Sequence, residues 1–72
     1  MKLTYYPDTD TLYIDLAETS SVESDEVADG VVLDFDGAGN VVGVEIDKAS
    51  TKVALQRLVL TSLPGEIQTI VA

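Results

Sequence analysis

The sequence predicts an α+β fold: an antiparallel β-meander of four to five strands with one C-terminal helix packed on the sheet, two layers in all. Three observations lead there. Before Asp47 the apolar residues recur with period two, as in strands buried on one face. Clusters of Pro, Asp, Gly and Asn separate those runs. After Ile46 the pattern changes to helical spacing and stops at Pro64-Gly65.

The opening runs "KLTYY" and "TLYIDL" flank "PDTD", a hairpin signature in which Pro7 fixes φ and Asp8 and Asp10 supply turn-forming side chains. Leu12, Ile14 and Leu16 alternate with Tyr13 and Asp15, so one face goes to the core. The same alternation places Tyr6 and Tyr13 together on the outward face, where aromatic pairs stabilise sheets or mark an interface. In "AETSSVESDEVADG", Val22 and Val27 differ in parity, which predicts a short edge strand with a bulge. Its Glu23, Asp25 and Glu26 discourage edge-to-edge pairing, and Gly30 turns the chain. "VVLDFD" and "VVGVEID", joined by "GAGN", form the clearest hairpin. Beyond it, Ser50 is expected to cap a helix carrying "TKVALQRLVL", with Leu55, Leu58, Val59 and Ser62 along one stripe. The tail "EIQTIVA" is apolar enough to pack as a short strand or to cross into a partner subunit.

Seventy-two residues make a single domain, 1–72, with a thin core, because a chain this short buries only about 60% of its unfolded surface. Small cores are supplemented by disulfides, metals or a second subunit. Cysteine and histidine are both absent, which removes disulfides, thiolate and imidazole ligands, and the Ser–His type of nucleophile. A homodimer is the supplement expected, with Val32, Val41 and the apolar tail in excess of what the core can hide.

Thirteen acidic residues against four basic ones give a net charge of −9. That sign argues against nucleic acid and anionic membranes and suits a basic protein partner. No apolar run approaches the ~20 residues of a membrane span. "MKLTYYPDTD" lacks the apolar segment of a signal peptide, so the expected location is cytoplasmic.

"DFDGAGNVVGVE" spells part of a calcium loop, with Asp34, Asp36, Gly39 and Glu45 at its first, third, sixth and twelfth positions. Ala38 stands where a fifth-position oxygen belongs, and the flanks alternate as strands rather than helices. The glycines and Asn40 have a simpler role, since they tolerate the positive φ of a tight turn. Asp34, Asp36, Glu45 and Asp47 nevertheless share the polar face of this hairpin. They are the candidate partner-docking face or, alternatively, a weak Ca2+ or Mg2+ site; no other cofactor is expected. Lys48, Lys52 and Arg57 are read as neutralising this acidic sheet.

"YYPDTDTLYIDL", followed by "SDEVADGVVLDFDGAGNVVGVEIDKAS", resembles the small prokaryotic proteins of domain-of-unknown-function family 2283, over roughly Tyr5 to Ser50. The elements that carry the resemblance are Tyr-x-Pro/Asp-x-x-Asp-x-Leu-Tyr, here Tyr5–Tyr13, and D-x-D running into G-x-E-I, here Asp34–Ile46. The resemblance implies a compact antiparallel domain without established enzymatic activity, and it brings no catalytic residues. The functional expectation is a non-catalytic acidic interaction module that neutralises a basic partner.

Overall fold

The computed structural model describes residues 1–53 and 68–71. It contains strands β1 (Lys2–Tyr6), β2 (Thr11–Asp15), β3 (Glu23–Ala28), β4 (Val31–Phe35) and β5 (Val41–Ile46), helix α1 (Ala49–Lys52) and strand β6 (Gln68–Val71). They form one sheet in the order β3-β4-β5-β2-β1-β6. The first five strands in this order pair antiparallel, and β6 joins the far edge parallel to β1.

The expected antiparallel sheet is present, but its connection is not a simple meander. Strand β5 returns to pair with β2, Leu12 opposite Ile46 and Ile14 opposite Val44. The β2-β5-β4-β3 set is therefore a Greek key. Residues 16–22 make it reachable, because seven residues extend ~23 Å while three strand spacings need only ~14 Å. Their path across the sheet end is fixed by Leu16 N–H to the Val42 carbonyl at 2.8 Å and Val22 N–H to the Phe35 carbonyl at 2.8 Å.

Two turns follow the sequence closely. Pro7–Asp10 closes the first hairpin with Asp10 left-handed at φ 54°, a conformation that Asp tolerates through its short polar side chain. In the second hairpin only Gly39 (φ 84°) among the glycines of "GAGN" uses positive φ. Strand β3 is the acidic edge strand, and its register shifts between Glu26 and Ala28, which leaves Val27 as the extra residue of a bulge. A second shift opposite Phe35 makes room for Val42.

The core sits on the face of Leu3 and Leu12, which are buried together with Ala49. Tyr5, Ile14, Ile46 and Val53 pack against them. The helix departs from expectation. It begins at Ala49, Lys48 rather than Ser50 occupies the cap position, and the extended Val53 (φ −133°, ψ 153°) ends it after four residues. The stripe of Leu55, Leu58, Val59 and Ser62 lies outside the described residues. The tail does supply a strand, β6, running beside β1.

Candidate functional site

The polar face of the sheet is organised by a tyrosine that crosses a strand. Tyr13 on β2 lies opposite Glu45 of β5, and the next row of β5 on that face holds Gly43, opposite Asp34 of β4. With no Cβ at Gly43, the Tyr13 ring passes over β5 and donates its hydroxyl to Asp34 Oδ2 at 2.5 Å. Ser24 on β3 donates to Asp34 Oδ1 at 2.6 Å. One carboxylate thus ties β2, β4 and β3 together over the gap left by a glycine.

These bonds also fix the local chemistry. The Ser24 and Tyr13 hydroxyls hold the Asp34 carboxyl below the ordinary value of 3.8. In return the carboxylate acceptor, partial burial, and the negative charges of Asp34, Asp15 and Glu45 push the Tyr13 phenol up to about 12. Asp34 is then a poor base and Tyr13 a poor acid near neutrality, which is the reverse of what general acid–base catalysis requires.

Beside this bridge lies an open concavity of about 720 Å³, lined by Tyr6, Thr9, Thr11, Tyr13, Glu45, Asp47 and Lys48. Strand pairing assembles it: Tyr6 sits opposite Thr11, and Tyr13 opposite Glu45. Asp47 follows β5, where the Thr11 hydroxyl reaches its Oδ1 at 3.5 Å. The wall is mostly carbon, with the carboxylates at one side.

Of the acidic residues singled out in the sequence, only Glu45 and Asp47 meet in this concavity. Asp34 is engaged by Tyr13 and Ser24. Asp36 builds the hairpin turn: its Oδ1 accepts the Ala38 and Asn40 N–H groups at 2.9 Å each, and its Oδ2 accepts the Asn40 side-chain amide at 3.3 Å. The Asn40 backbone N–H is the main cause holding its carboxyl below the usual range. Among the described residues, no group of three acidic side chains stands close enough to hold a metal ion. The calcium-like spelling is therefore answered by a turn whose own amides occupy the Asp36 oxygens.

Tyr6 and Tyr13 come together as expected, and of the two valines expected to be exposed only Val41 is. Val32 is half-buried between Glu26 and Glu45, and Val41 is exposed at the opposite end of the β4–β5 pair. Lys52 donates to the Asp29 carbonyl at 2.8 Å rather than to a carboxylate. Lys48 lines the concavity, and Arg57 lies outside the described residues.

A second polar cluster joins the first turn to α1. Asp10 Oδ1 accepts the Tyr5 hydroxyl at 2.7 Å and the Ser50 N–H at 3.0 Å, and Oδ2 accepts the Ser50 hydroxyl at 2.6 Å. The Asp10 carbonyl takes the Ala49 N–H at 2.8 Å. Asp10 therefore satisfies the N–H groups that the helix start leaves open, from forty residues away in the chain. The Ser50 hydroxyl, then that of Tyr5, lowers the Asp10 carboxyl, while the same contact raises the Tyr5 phenol.

The family described as "Protein of unknown function (DUF2283)" matches residues 2–50. The chain belongs to the DUF2283 family. No curated protein and no solved structure matches it. The match ends at Ser50, the last residue tied to Asp10 in this DUF2283 chain.

The residues that carry the DUF2283 resemblance can now be given physical roles. Tyr5 and Asp10 bond to each other, Leu12 is core, Tyr13 and Asp34 bridge over Gly43, and Asp36 closes its turn. These are folding roles. Sequence reasoning missed Gly43, Ser24 and the Asp10–Ser50 link. An isolated glycine inside an alternating strand was a legible signal for close approach. Nothing local to Ser24 or Ser50 announces a partner on another element.

Proposed function

We propose that this chain is a non-catalytic, acidic protein-interaction module that docks and neutralises a basic partner on the polar face of its sheet. The observation that carries the reading is the collection on one face of Asp15, Glu26, Asp34 and Glu45, with Asp47 beside them, in a chain of net charge −9. Opposite fields steer association and set its register. A partner that binds polyanions would be blocked by such a face. The inverted acid–base character of Asp34 and Tyr13 supports the non-catalytic part.

Self-association belongs to the same proposal. Leu16, Val22 and Val41 are exposed, and backbone bonds gather them at one end of the sheet, an apolar patch suited to a second copy. Among the described residues no helix is long and apolar enough to cross a membrane, and a cytoplasmic location is part of the proposal.

The test is capture of partners by the full chain, with elution by rising salt and comparison with a Glu45→Gln/Asp47→Asn variant. A basic protein released at moderate salt, and retained less by the variant, supports the reading. Equal retention by both forms overturns it.

A further inference from the structure

We infer that the concavity between Tyr6, Tyr13, Glu45 and Asp47 is a socket for an arginine side chain of the partner. The inference rests on the acidic-module reading and sharpens it from a charged face to one recognition point.

Charge alone would not choose this place. Asp15 and Glu26 are on the same face, outside the concavity. What distinguishes the concavity is its combination of a carbon wall, aromatic rings on two adjacent strands, and carboxylates along one side. A long cationic side chain has the complementary design, an apolar stem that lies on carbon and a charged head that reaches oxygen. The head is drawn to the face of a tyrosine ring as well as to a carboxylate.

Arginine fits these requirements better than lysine. Its guanidinium is planar, stacks on aromatic faces, and presents several N–H donors in a fixed fork. Glu45 on β5 and Asp47 just after it both line the concavity, and each offers a carboxylate that such a fork can meet. Thr9 and Thr11 add hydroxyl oxygens, with Thr9 donating to Thr11 at 3.0 Å.

The receiving groups are also held before anything binds. Tyr13 is fixed through its hydroxyl to Asp34, so its ring does not have to be ordered on docking. Tyr6, the other aromatic lining residue, is 44% exposed and so accessible to a partner. Lys48 also lines the concavity, so an incoming cation meets one like charge there beside the two carboxylates.

The experiment titrates the full chain with a capped glycine–arginine repeat peptide, followed by amide and side-chain chemical shifts. Lysine and citrulline counterparts of the peptide are run in parallel. Shifts concentrated at Tyr6, Thr11, Tyr13, Glu45 and Asp47 are expected, with arginine roughly two- to five-fold tighter than lysine. Citrulline, which keeps the shape without the charge, should not bind. Tyr6→Ala and Glu45→Gln should each weaken the arginine peptide, while Asp15→Asn, which removes the same charge from the same face, should change it less. Shifts spread over the whole acidic face, with lysine equal to arginine, overturn the socket and leave the acidic-module reading standing. Absence of binding by either cationic peptide overturns both.

Discussion

Replacing Gly43 with alanine tests the crossing that organises the polar face. The new methyl would lie 2.9 Å from Tyr13 Cζ and 3.3 Å from Asp34 Oδ2, and closer still to the Tyr13 hydroxyl. Carbon atoms rest at about 3.5–4.0 Å, so the ring must lift off β5 and lose Asp34. A hydrogen bond to a charged acceptor contributes roughly 1.5–3 kcal/mol, and the lower end applies because both groups still meet water. Against this, alanine in a strand interior gains roughly 0.5–1 kcal/mol over glycine. The difference is a destabilisation of about 0.5–1 kcal/mol, or roughly 2–8 °C in Tm for a domain this small. Urea unfolding followed by circular dichroism measures it. The decisive comparison uses a Tyr13→Thr background, where the obstacle is gone and Gly43→Ala should stabilise by about 0.5–1 kcal/mol. If the substitution is neutral in the native background, or has the same sign in both, the crossing does not exist as described.

Three further outcomes are expected. Tyr13 ionises at about 12 in the folded chain, above the ordinary 10, so the stability it contributes is complete below pH 10 and lost as pH rises through 12; Tyr13→Phe should remove that part of the alkaline loss measured by urea midpoints across pH. Asp10 is depressed below 3.8, so its contribution is present above that pH and lost as pH falls through the lower folded value. Asp10→Asn should flatten the acid limb, and Asp10→Ala should speed amide exchange at Ala49 and Ser50, as read by hydrogen exchange. Millimolar calcium should leave the amide signals of Asp34, Asp36 and Glu45 in place, because the turn amides already occupy Asp36 and no third carboxylate converges on the other two.

What the sequence determined by itself is what depends on neighbours along the chain. Alternation set the strands and their faces, so Tyr6 and Tyr13 were placed together and Leu3, Leu12 and Ile14 were put on the core side, whereas Leu16, past the end of β2, is exposed. Parity conflict between Val22 and Val27 announced the bulged acidic edge, and Asp and Gly marked the turns. The tertiary structure decided everything that joins distant segments. Periodicity says that β5 is a strand but not that it lies beside β2, because any pairing of matching faces satisfies the same alternation. The helix start drew its acceptors from Asp10, not Ser50, because the helix begins at Ala49 and Ser50 lies inside its first turn, where its N–H and hydroxyl donate to the carboxylate that folding brings near. Four acidic residues of shared parity were separated into a bridge, a turn and a concavity by the bulge and by Gly43. Parity fixes only which side of the sheet a group is on; what it touches there depends on the strand that packing sets beside it.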